Sequence, residues 1–146
     1  MTEADFNNQI AGKQQEIAGY QQAINDLTDK IGKLDVANQK VTNLNSTLQS
    51  FASTSSNKII FSAGKTAKFF NPLLEAVKGA KYRSTVNNLE TALGEIIHKK
   101  QEFQEKIEEY QRKIASCNAQ ISSLSAQKAS FLAAEAQRAA QAQTQA

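Results

Sequence analysis

Tryptophan is absent from this 146-residue chain, and cysteine, histidine, methionine and proline occur once each. One cysteine excludes an internal disulfide framework and any zinc site built on several thiolates. One histidine, His98 beside Lys99, cannot complete a metal centre with a lone thiol on another helix face, and it reads as a solvated side chain. Aromatics are 7% of residues, fewer than a compact globular core of large side chains calls for. No apolar run approaches the roughly 20 residues of a membrane span. The opening "MTEADFNNQI" lacks a basic n-region and an apolar core, so no conventional signal peptide is expected. The chain reads as a soluble bacterial-type protein of the cytoplasm.

What is there instead is helical periodicity. Tyr82, Val86, Leu89, Leu93, Ile96, Phe103, Ile107, Tyr110, Ile114, Cys117, Ile121, Leu124 and Phe131 follow steps of four and three, with Lys100 and Lys128 at the two polar positions of the series. A sustained 3.5-residue repeat predicts a long helix with a coiled-coil seam over 82–135, roughly 80 Å of it. Towards the N-terminus, Ile17, Tyr20, Ile24, Leu27, Ile31 and Leu34 step likewise, and Val41, Leu44, Leu48 and Phe51 resume out of phase. This predicts a helix over 3–51 with a phase slip at 35–38 that locally alters the supercoil. The stretch 52–57, "ASTSSN", reads as a loop, and 136–146, "AQRAAQAQTQA", as a flexible tail. The expected fold is all-α: one domain over 1–135, an elongated antiparallel helical hairpin whose two long helices are joined by a short helical connector at 52–81.

The connector is basic. Residues 52–83 carry five Lys and one Arg against Glu75, whereas residues 84–146 hold seven of each sign. Gly64-Lys65-Thr66 reads like the end of a phosphate-binding loop, but the glycine needed five residues earlier is Ile59. No nucleotide and no other cofactor is expected. The lysines lack interleaved Arg, and the aromatics are needed for packing, so nucleic acid is not an expected partner. The cationic amphipathic connector leaves a membrane-active hairpin that inserts its tip as the alternative function. Carboxylates and cations elsewhere pair at i,i+4, as Glu108 with Arg112 and Glu109 with Lys113, which explains them as a solvated face. No enzymatic activity is expected. Cys117 lies on the seam, where a small buried hydrophobe belongs. Lys100 and Lys128 on the seam are candidates for setting register or meeting a partner. Ile97 beside Ile96 and Leu132 beside Phe131 widen the stripe beyond what two helices cover, which points to a further helix from a partner, or to self-association when alone.

Two long helices around Gly64-x-x-Ala67-x-x-Phe70 resemble the small WXG-like helical proteins encoded beside LXG toxins of the Gram-positive type VII secretion system. Many of those place Trp where this chain has Ser62. The resemblance implies a non-enzymatic adaptor or chaperone that binds a toxin's helical LXG domain, often with a second small helical protein, and assists its targeting; a cytoplasmic location, with co-export beside the toxin as the alternative, is expected. It also implies that Gly64 gives a close approach while Ala67 and Phe70 pack on the long helices. Phe131-x-x-x-Glu135 is similar to the aromatic-x-x-x-acidic export signals of that system.

Overall fold

The computed structural model describes residues 1–62, 75 and 78–144. The fold is all-α, with α1 over Glu3–Ser62 and α2 over Ala80–Thr144 forming an antiparallel helical hairpin. The connector positions Gly64, Ala67 and Phe70, and the Gly64-Lys65-Thr66 tripeptide, lie outside the described residues.

Local chemistry sets the helix starts. Thr2 and Asp5 form a capping box: the Thr2 N–H donates to Asp5 Oδ2 at 2.6 Å, and the Asp5 N–H donates back to Thr2 Oγ1 at 3.2 Å. Two otherwise orphaned donors are thereby satisfied, and acidic Glu3 and Asp5 suit the positive end of the helix dipole. At α2 the cap is Gly79, whose carbonyl accepts from the Arg83 N–H at 3.0 Å. A Cβ at Gly79 would collide with the Glu75 carbonyl, which explains glycine there.

Within the two helices the chain groups into two compact units. The terminal unit joins Met1–Thr28 to Gln104–Ala146, and the middle unit is Asp29–Phe103. In the terminal unit, Phe6 meets Phe131 with ring centroids 5.9 Å apart, and Tyr20 stacks on Tyr110 at 5.7 Å. Partner numbers fall on one helix as they rise on the other, so the pair is antiparallel. Phe6, Ile24, Leu27 and Cys117 are buried there. In the middle unit, Lys100 reaches Asp35 at 2.7 Å and the Lys30 ammonium lies 5.9 Å from the Phe103 ring centre, again antiparallel. Among the described residues of this unit the buried ones are small: Ala52, Ser56 and Gly79.

Three sequence expectations are corrected. The phase slip at 35–38 is absent. From Phe6 through Ile31 and Leu34 to Asn38, Val41, Asn45, Leu48, Ala52 and Ser55, the covered positions of α1 keep uninterrupted steps of three and four. A constant phase avoids locally unwinding the supercoil, but it sets Asn38 and Asn45 on the seam and leaves Leu44 and Phe51 off it. The predicted loop at 52–57 is helix, because burial of Ala52 and Ser56 on that phase outweighs the weak helix propensity of Ser, Thr and Asn. Finally, α2 continues through the predicted flexible tail to Thr144. Ala and Gln are good helix formers, and the Thr144 hydroxyl bonds back to the Ala140 carbonyl at 3.1 Å.

Candidate partner-binding surface

The two seam lysines are engaged within the chain. Lys128 Nζ donates to Glu3 Oε1 at 2.9 Å and to Asn7 Oδ1 at 2.8 Å in the terminal unit. Lys100 Nζ donates to Asp35 Oδ1 at 2.7 Å in the middle unit. Each stem covers the seam while its ammonium reaches a carboxylate at the rim. Cross-helix pairs of this kind favour one helix register, the role that the sequence offers for Lys100 and Lys128 beside partner contact.

Ile97 and Leu132 are different. Ile97 is 60% exposed and Leu132 37%, each one residue past the seam. Phe131 is half-buried with its ring against Phe6, whereas Glu135, one turn on, is exposed. The aromatic of the export-signal pattern is therefore also a packing residue.

Sequence reasoning missed the larger exposed set. In the middle unit Val36, Leu44 and Phe51 are 52%, 55% and 65% exposed. Leu44 and Phe51 read as seam residues in the sequence because Val41, Leu44, Leu48 and Phe51 also step by three and four, while Val36 falls in no stripe there. Carrying Ile31 and Leu34 forward by sevens, to Asn38, Asn45 and Ala52 and to Val41, Leu48 and Ser55, identifies the real seam without a structure. Charge separates the units as well. The middle unit holds eleven Lys and Arg against six Asp and Glu, a net +5; the terminal unit holds six against eight, a net −2.

The groups that might carry chemistry are tied up structurally. Burial pushes the Cys117 thiol above its ordinary pKa, and its 3.5 Å hydrogen bond to Glu16 adds to the shift. A thiol held protonated is a poor nucleophile. Lys13, donating to Glu16 at 2.8 Å, holds that carboxyl below the usual range, and Glu16 holds the ammonium above its own. In the middle unit exposed His98 lies 3.2 Å from Glu102, whose other oxygen takes Lys99 at 2.6 Å. Among the described residues no three His, Cys, Asp or Glu converge as metal ligands, and no helix is long and apolar enough to cross a membrane. Among the described residues the large apolar side chains left exposed are Val36, Leu44, Phe51 and Ile97 in the middle unit, and Met1 and Leu132 in the terminal one. No protein-family model, curated protein or solved structure matches the chain.

Proposed function

We propose that this chain is a non-catalytic helix-binding adaptor, a chaperone-type subunit that binds the helical LXG domain of a toxin and assists its targeting to type VII secretion. The observation that carries the reading is the set of large apolar side chains left exposed in one unit, Leu44, Phe51 and Ile97 next to the seam and Val36 on the outer side of α1. Scattered apolar exposure is ordinary, but four such residues within one unit of a two-helix hairpin suit the addition of further helices. The resemblance of the helix–connector–helix pattern supplies the identity of the partner. The chain works in the cytoplasm, with a second small helical protein or export alongside the toxin as extensions of the same role.

Co-expression with the LXG domain of a neighbouring toxin tests it. A stable complex should co-elute in size-exclusion chromatography, and the melting temperature should rise with partner concentration by mass action. Ile97→Asp and Leu132→Asp should weaken the complex more than they weaken the hairpin. A concentration-independent monomer, melting cooperatively and indifferent to any co-encoded helical protein, would contradict the proposal.

A further inference from the structure

We infer that the outer stripe of α1 in the middle unit, centred on Leu44 and Phe51, is the docking strip for an acidic amphipathic helix of a partner protein. This rests on the adaptor reading and adds to it a face, a polarity and a partner chemistry.

The stripe follows from helical geometry. Val36, Lys40, Leu44, Thr47, Phe51 and Lys58 step by three, four or seven along one side of α1, and all are exposed. They alternate apolar and cationic or hydroxyl side chains. The seam beside them holds Asn38, Asn45 and Ala52 in alternation with Leu34, Val41 and Leu48, so three seam positions go to small or polar residues while Leu44 and Phe51 stay outside. Sequence that served only a two-helix hairpin would put Leu44 and Phe51 inward and the asparagines outward.

Charge selects the occupant. No Asp or Glu occurs between Asp35 and Glu75, while Lys40 and Lys58 lie on the stripe itself. An apolar seam flanked by glutamates or aspartates on an incoming helix would meet Leu44 and Phe51 with its hydrophobes and the lysines with its carboxylates, as flanking positions do in coiled coils. A second copy of this chain would bring the same cationic stripe and be repelled by it. A lipid surface calls for a broad apolar face, whereas this stripe offers one large apolar side chain about every two turns, which is the spacing a partner heptad reads.

The test uses the full chain and a labelled three-heptad helical peptide with leucines at its seam and glutamates beside them. Its counterpart carries lysines in place of the glutamates. Fluorescence anisotropy should show the glutamate peptide binding and the lysine peptide not. Leu44→Gln combined with Phe51→Gln should weaken binding about tenfold or more. Lys40→Glu, at an exposed position, should weaken the glutamate peptide and admit the lysine one. Ala119→Gln, at an exposed position of α2 in the terminal unit, should change nothing. Equal binding of both peptides, no binding of either, or indifference to the Leu44 and Phe51 changes would overturn the strip. Phe51-dependent binding to vesicles containing phosphatidylglycerol would replace it with a lipid surface, and Phe51-dependent self-association would replace it with a second copy. Peptide docking without any LXG-domain complex leaves the strip standing and removes the toxin reading. An LXG-domain complex insensitive to Leu44 and Phe51 does the reverse.

Discussion

The terminal and middle units are built from the same two helices and the same heptad phase, yet the described residues differ in which side chains are most deeply buried and which stay exposed. The terminal unit puts Phe6, Ile24 and Leu27 inside, with Tyr20 stacked on Tyr110. The Lys113 ammonium lies 5.4 Å from the Tyr110 ring centre and adds a cation–π contact. The middle unit covers Asn38, Asn45, Ala52 and Ser56, and keeps Val36, Leu44, Phe51 and Ile97 outside. Burial of large apolar surface is the main source of hairpin stability, at about 25 cal/mol per Å². Among the described residues, the large fully buried side chains lie in the terminal unit, and most of the large exposed ones lie in the middle unit.

The sharpest way to break this comparison sets one phenylalanine against another. Phe6→Ala should destabilise by roughly 3 kcal/mol, the cost of a buried aromatic. Phe51→Ala, at an exposed site, should cost less than about 0.5 kcal/mol. Urea melts of both variants decide it, and similar losses would mean that α1 is rotated from the phase described here.

A smaller effect of opposite sign is expected in the middle unit. Asn45→Leu should stabilise by on the order of 1 kcal/mol, since a seam position would then bury apolar surface. Its only cost is the 3.3 Å bond from Gln49, which is exposed and can turn to water. Ser56→Ala should also stabilise, by about 1 kcal/mol, because the buried Ser56 hydroxyl has no hydrogen-bond partner among the described residues. The same Asn45→Leu change in the terminal unit's style of packing would make the two units more alike. A loss of stability would show that Asn45 is specifically satisfied on the seam.

The rim pair comes next. Lys100→Ala should cost no more than about 1 kcal/mol, because Lys100 and Asp35 are 36% and 53% exposed. A double-mutant cycle with Asp35→Ala, repeated in high salt, measures the coupling, which should shrink with screening. The smallest effect is a pH dependence. The Thr2 N–H, and then its hydroxyl, hold the Asp5 carboxyl below the usual value. A depressed folded pKa contributes stability above the unfolded value and loses it as pH falls through the folded one. Thermal melts should therefore weaken on the acid side, and Asp5→Asn should flatten that part of the profile.

Much of the fold was legible because heptad spacing is a strong signal. The series from Tyr82 to Phe131 predicts α2 with its phase, and the absence of proline outside Pro72 leaves both helices uninterrupted. The misreadings share one cause: hydrophobicity was trusted over phase. Leu44 and Phe51 looked like seam residues because they are large, and "ASTSSN" looked like a loop because it is polar. Tertiary packing reverses both, since a continuous seam is favoured over a locally better one, and small residues let helices approach closely. The lysine pairs could not be read from sequence, because Asp35 and Glu3 become neighbours of Lys100 and Lys128 only once the antiparallel register is fixed.

The central claim is that α1 keeps one phase through residues 38–55, turning Leu44 and Phe51 to solvent. Thiol labelling rates test it most directly. With Cys117→Ala as background, single substitutions Leu44→Cys, Asn45→Cys, Phe51→Cys and Ala52→Cys each place one thiol on a neighbouring face of the same two turns. The account predicts rapid labelling at 44 and 51, slower labelling at 45, and strong protection at 52. Protection at 44 and 51 with rapid labelling at 45 and 52 would contradict it.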